Sequence, residues 1–198
     1  MFSFSRTTLS VAVAAALGLG ISQAPAGDLF PPGTPAPTMK RLDQISPDVC
    51  ISSLPYTISK PGTYCLSEDL VGEAAQNGIQ ITSSDVVLDG KGFSLRGGDG
   101  TGHGIFVEGS HDNVTVRNIT VSGWGGNGIH SPASPIRCAD GVCRGNGGAG
   151  FRLDAGGELE RCVASSNAEE GFRVSGNGGG HVTVLKRCES VNNGGDGL

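Results

Sequence analysis

The chain has 198 residues, 34 of them Gly, with aromatic residues at only 5% and charged residues at 17%. Glycine at more than twice its usual share of about 7% argues against long helices, because each helix-interior Gly costs about 1 kcal/mol. The 37% apolar content still supports a packed core, and a net charge of −5 argues against nucleic acid as a partner.

The chain opens with residues 1–26, which read as a signal peptide. Arg6 is the only charge before Asp28, and Leu9 to Ile21 is an apolar run too short to span a bilayer. Ala24-Pro25-Ala26 supplies a small-x-small cleavage site after Ala26. Loss of Arg6 leaves 13 basic against 19 acidic residues, a net of −6. The expected location is therefore secreted or periplasmic, with no transmembrane segment. Export changes the reading of the six Cys, since thiols outside the cytosol tend to pair. The sequence predicts Cys50–Cys65 and Cys138–Cys143 bridges, with Cys162 and Cys188 as neighbours in adjacent repeats. No CxxC occurs, which disfavours a zinc site.

Residues 27–44 form a Pro-rich lead, read as an extended surface segment. Ile51 to Leu70 reads as short strands with a turn at Pro61 to Thr63, a capping section for the repeats beyond it. From Asn77 onward the chain repeats itself. Gly followed by a large apolar residue opens each unit at Gly78, Gly104, Gly128, Gly150 and Gly171, and Gly197-Leu198 opens another. The successive spacings are 26, 24, 22, 21 and 26 residues. A second apolar strand comes next in each unit, as in DVVLDG at Asp85 and NVTVRN at Asn113, then a third, as in ITVSGW from Ile119. Asn118 reads as a turn residue, with Cys162 and Cys188 at corresponding places in later units.

Three short strands cannot bury an apolar face alone. Stacked units can, each strand pairing with its copy about 4.8 Å away. The expected fold is all-β: a right-handed parallel β-helix of about five coils over residues 45–198. Ile79/Ile81, Ile105/Val107, Ile129, Phe151/Leu153 and Phe172/Val174 should point inward, with glycines providing sharp turns between faces. The chain stops one residue into a new coil. That predicts a fragment of a longer protein, or self-association through an open last coil.

GIQITSSDVVLDGKGFSLRG and GIFVEGSHDNVTVRNITVSGWGGNGI resemble secreted bacterial proteins of the pectin-lyase-like right-handed β-helix superfamily, as does the upstream ISSLPYTISKPGTYCLSEDL. The likeness runs from about Ile45 to Leu198. Superfamily members include polysaccharide lyases, hydrolases and epimerases as well as binding proteins, so the fold alone selects no activity. The resemblance implies that substrate lies on the outward surface of the first strands.

On that surface alternation predicts two columns. One runs Gln80, Phe106, His130, Arg152, Arg173. The other runs Thr82, Glu108, Pro132, Asp154, Ser175. Glu108, His130 and Asp154 are the candidate catalytic residues, two carboxylates for acid and base work and an imidazole titrating near neutrality. Glu108 and Asp154 lie two coils apart, about 9.6 Å by strand spacing, near the upper end of the range of about 6.5–9.5 Å between inverting-glycosidase carboxyls. Arg152 and Arg173 are candidates for holding a uronate carboxylate. His103, in GHGI, resembles the GHG element of polygalacturonases and joins the substrate-binding candidates. That family's paired-aspartate and RIK elements are absent, as is the WIDH-like element of pectate lyases. Each of these charged residues also reads as an ordinary solvated member of an exposed sheet. Asp85, Asp89 and Asp99 offer oxygen ligands suited to Ca²⁺, yet Asp is an ordinary turn residue, and no cofactor or metal is expected. The functional expectation is a protein that binds, or binds and cleaves, a polysaccharide. The alternative is a non-catalytic surface, adhesive or structural module, which the short Gly-, Asn- and Ser-rich turns favour.

Overall fold

The computed structural model describes residues 49–175 and 182–196. The signal-peptide and Pro-rich assignments, and Gly197-Leu198, lie outside the described residues. Those residues carry seventeen strands and no helix, so none long and apolar enough to cross a membrane.

Every strand pairing is parallel, and each joins one coil to the next. The fold is a right-handed parallel β-helix of about six turns. The first sheet stacks Tyr56–Ile58, Ile79–Ile81, Ile105–Val107, Ile129–Ser131, Phe151–Leu153 and Phe172–Val174. The first of these lies in the section expected to act as a cap, so the repeat is one coil longer than its Gly-apolar signature suggests. Tyr56 takes the opening position without a glycine before it.

The second and third strands of a coil belong to one large sheet. In the middle coils they fuse into Val114–Ser122 and Ile136–Arg144, nine residues each. Each fused strand bends at one residue in the left-handed region, Asn118 (φ 52°) and Asp140 (φ 54°). The same bend falls at Arg161 and Arg187 in later coils. The partner of Asn118 in the stack is thus Asp140, then Arg161 and Arg187. Cys162 and Cys188 sit one residue further on, which corrects the expected alignment by one position.

The recurrent glycines do a different task from the one expected. None of the five has a positive φ. A Cβ on Gly78 would lie 2.6 Å from the carbonyl oxygen of Gly104, and one on Gly104 would lie 2.7 Å from that of Gly128. Gly128 and Gly150 repeat the relation, at 2.6 and 2.7 Å to the carbonyls of Gly150 and Gly171. Those carbonyls accept hydrogen bonds from Ile79, Ile105, Ile129 and Phe151 at 2.9–3.0 Å. At these positions glycine is needed for close approach of successive coils, while other glycines, Gly109, Gly123 and Gly145 among them, take left-handed turns as expected.

The predicted inward residues are buried, from Ile79 to Phe172, with Val174 packed partly against them. Phe151 and Phe172 stack at 5.1 Å between centroids. Trp124, the single Trp, is also fully buried. Beside the apolar columns runs a polar one. Asn146 Oδ1 accepts from the Trp124 amide at 3.1 Å, Asn167 Oδ1 from the Asn146 amide at 3.1 Å, and Asn193 Oδ1 from the Asn167 amide at 3.0 Å. Their amide nitrogens donate to the carbonyls of Val121, Cys143 and Ala164. Each Asn thus gives a turn amide its acceptor and adds a donor to a strand carbonyl of the same coil.

Cys50 and Cys65 are opposed on neighbouring strands and bridged, with Cα atoms 4.4 Å apart. The expected Cys138–Cys143 bridge is absent, and both are free thiols. They occupy opposite arms of one bent strand. Extended chain rising about 3.3 Å per residue keeps their Cα atoms beyond the roughly 7 Å a disulfide can span.

Asn167→Ala would remove the acceptor of the buried Asn146 amide. We expect it to destabilise the fold by about 1–3 kcal/mol. Denaturant unfolding monitored by the fluorescence of buried Trp124 measures this, and an unchanged midpoint would show that the ladder contributes no stability.

Candidate functional site

Strand register aligns Thr57, Gln80, Phe106, His130, Arg152 and Arg173 in one column on the outward face of the first sheet. Thr57 extends the expected column by one coil. The second column, Thr82, Glu108, Asp154 and Ser175, comes just after each strand and donates its amides to the preceding coil.

Four of the predicted residues come together. Asp154 is the hub. It accepts from Ser175 Oγ at 2.7 Å, from Arg152 Nε at 3.1 Å, and from His130 Nε2 at 3.3 Å. His130 and Asp154 are nearly enclosed, with side chains 13% and 14% exposed, while Arg152 keeps 32%. His130 Nδ1 lies 3.4 Å from His103 Nε2, and the rings meet edge to face. Phe106 completes the group, stacked 5.5 Å from His103 and tilted 5.4 Å from His130.

The role of His103 is set by the coil stack. Asn77 Oδ1 accepts from the His103 amide at 2.8 Å, and Asn127 Oδ1 accepts from the Ala149 amide at 2.8 Å. Between them, His103 Nδ1 accepts from the Asn127 amide at 2.9 Å. The sequence contains NGI at Asn77, HGI at His103 and NGI at Asn127. His103 therefore stands in an asparagine position, its Nδ1 replacing the amide oxygen.

The ladder also fixes tautomers. A backbone N–H can only donate, so His103 Nδ1 carries no proton and Nε2 does. His103 Nε2–H then donates to His130 Nδ1, leaving His130 to donate from Nε2 to Asp154. Both nitrogens of both rings are used. Burial, then the proximity of His130 and Arg152, pushes His103 down to about 4. Burial lowers His130 as well, aided by Arg152 and opposed by Asp154. Burial acts to raise the Asp154 carboxyl, but Ser175, His130 and Arg152 outweigh it and hold it below the ordinary carboxylate range. At neutral pH the cluster is two neutral imidazoles, a carboxylate and a guanidinium.

The other candidates lie apart. Glu108 bonds to Gln80 one coil earlier, so the two candidate carboxylates point to different coils and share no partner. Arg173 pairs with Glu169 and Glu170 at 3.6 and 3.8 Å. Asp89 accepts from the Lys91 amide, Arg117 and Asn118, and Asp85 accepts from Asn113. Among the described residues no group of His, Cys, Asp and Glu is arranged to hold a metal. The face also carries a cleft of about 340 Å³ between Tyr56, Thr57, Gln76, Asn77 and Gln80. A groove of about 960 Å³, lined by Val87, Thr115, Arg137 and Glu158 among others, lies on the second-strand face. Sequence reasoning missed the coupling of His103 to Phe106 and His130, although the shared NGI/HGI frame was a usable signal.

Comparison with protein-family models, curated proteins and solved structures finds no match to this chain.

The lowered histidine values predict acid sensitivity. An unfolded His takes up a proton below about 6.5, whereas folded His103 does so only near 4. Stability is then full above pH 6.5 and falls as pH drops toward 4, by up to about 1.4 kcal/mol per pH unit for each such ring. His103→Asn, which restores the ladder's usual residue, should fold and show a shallower loss in this window. Denaturant midpoints between pH 4 and 7 measure it, and identical slopes for variant and parent would remove His103 as the cause.

Proposed function

We propose that the protein is an exported glycan-binding β-helix of the pectin-lyase-like type, which holds an acidic polysaccharide along the outward face of its first sheet. The observation that carries this reading is the state of Arg152. Its Nε is anchored on Asp154, which fixes the plane of the guanidinium, and its terminal nitrogens take no partner among the described residues. A planar, half-exposed pair of donors suits bidentate capture of a uronate carboxylate. Phe106, two coils away, offers an apolar ring to the flat face of a sugar. From Thr57 to Arg152 the column spans four coil spacings, about 19 Å, which suits an extended polymer better than a small molecule.

Several features favour holding the glycan over cleaving it. Acid–base cleavage by two carboxylates needs both to face one bond, and Glu108 and Asp154 engage different coils. His130 has no free ring nitrogen with which to take a proton from substrate. Export rests on the N-terminal charge, apolar run and cleavage signal, and superfamily membership on the coil architecture and the repeat text.

Titration calorimetry with polygalacturonate and with a neutral glucan tests the reading. Arg152→Ala should weaken polygalacturonate binding at least tenfold, Arg152→Lys should restore it only partly, and Phe106→Ala should weaken it several-fold. Arg173→Ala should change it little, because that side chain is already paired. Equal affinity of the Arg152→Ala variant and the parent for an acidic glycan would discard this site, and release of unsaturated or reducing-end products would replace binding with catalysis.

A further inference from the structure

Four free thiols lie in the last three coils: Cys138, Cys143, Cys162 and Cys188. Their placement is not equivalent. Glu160 is opposed to Lys186 and Val163 to Glu189, so Cys162 is directly opposed to Cys188 across neighbouring parallel strands. The Glu189 amide donates to the Cys162 carbonyl at 2.9 Å, which confirms the alignment. The two thiols repeat one geometry. Cys162 Sγ points to the Glu160 carbonyl at 3.5 Å and Cys188 Sγ to the Lys186 carbonyl at 3.5 Å, each two residues back.

On its other side Cys162 is opposed to Gly141, which has no side chain. The Cys138 thiol fills that space, since a Cβ on Gly141 would lie 2.9 Å from Cys138 Sγ. Cys138 itself is opposed to Leu159, three residues from Cys162 along the strand. Its thiol touches Cys162, but its backbone is out of register for a bridge. The first coil shows what register permits in this fold: Cys50 and Cys65 are directly opposed on parallel strands, and they are bridged.

We infer that Cys162 and Cys188 are a second disulfide site, which closes when the folded protein meets a small disulfide oxidant and ties the last described coil to the one before it. Opposed parallel strands hold Cα atoms about 4.8 Å apart, inside the disulfide range of about 4.4–6.8 Å. Access sets the order of events. Cys162 is fully buried, whereas Cys188 is partly exposed. The Cys188 thiolate attacks the small disulfide and releases one thiolate, giving a mixed disulfide at Cys188. The Cys162 thiolate then attacks Cys188 Sγ and expels the second thiolate. The two protein protons pass to the two leaving groups, so one small disulfide is reduced to two thiols as one protein disulfide forms. The neighbouring Cys138 thiol, against the effect of burial, holds Cys162 below the ordinary thiol range and so favours the attacking form.

Peptide mapping tests this directly. The intact folded protein is treated with oxidised glutathione, its remaining thiols are alkylated in denaturant, and it is cut with trypsin without reduction. Cleavage after Arg161 and Arg187 places Cys162 and Cys188 at the starts of separate peptides, and Cys138 and Cys143 together in a third. The expected product links the Cys162 and Cys188 peptides, with Cys138 and Cys143 alkylated. Cys138→Ser should leave that link in place and Cys188→Ser should abolish it. A Cys138–Cys162 link in the parent, or glutathione retained on Cys188 without closure, would overturn the inference. Both readouts come from the parent protein, so they stand even if a variant fails to fold.

Discussion

From Gly78 to Gly171, successive coils of this protein meet through a carbonyl oxygen that lies 2.6–2.7 Å from where a Cβ would stand. The oxygens of Gly104, Gly128, Gly150 and Gly171 all sit this way against the preceding glycine, and each accepts the amide of the residue after it. A side chain there would push a backbone atom, which cannot swing aside as a flexible side chain can. The stack is consequently held at one spacing in one register. That register sets the apolar columns inside, the outward columns of the first sheet, and the alignment of bends at Asn118, Asp140, Arg161 and Arg187.

Stacking at a fixed spacing leaves turn amides and carbonyls inside the coil, far from water. The asparagines 146, 167 and 193 answer that problem by reaching back one coil each, accepting a turn amide through Oδ1 and donating to a carbonyl through Nδ2. His103 answers it in the parallel column between Asn77 and Asn127. Its ring can accept through Nδ1 as an amide oxygen does, and it has a second nitrogen left over. That nitrogen couples the interior ladder to the outward face. Through it the backbone orients His130, His130 orients Asp154, and Asp154 holds Arg152 in a plane. A structural accommodation inside the coil thereby determines how a surface guanidinium is presented.

The same register decides which cysteines can meet. Cys50 with Cys65, and Cys162 with Cys188, are opposed across coils. Cys138 and Cys143 share one strand and are kept apart by its extended arms. Proximity along the chain is a poor guide in a solenoid, because the nearest neighbour in space is one coil away. The Cys50–Cys65 bridge already spans 15 residues, and the Cys188 thiol reaches the Leu159 carbonyl across 29.

The Gly-apolar signature and its spacing were enough to establish a parallel β-helix and its inward residues, because period-two alternation and a recurring unit have few other packed solutions. They also set the outward columns, which depend only on register. The sequence did not reveal the first coil, since Tyr56 lacks the glycine that marks the others. It could not separate the glycines that open each coil, needed for close approach, from those such as Gly123 and Gly145 that take left-handed turns, because both requirements leave the same letter. For the site, the sequence brought His130, Arg152 and Asp154 to one face but could not tell which neighbours they choose. Glu108 turning to Gln80, Arg173 to Glu169 and Glu170, and Asp154 to Ser175 are selections among side chains of similar reach. Local pattern assigns each residue to a face; the partner it takes depends on the positions of side chains one coil above and below, which only the assembled stack fixes.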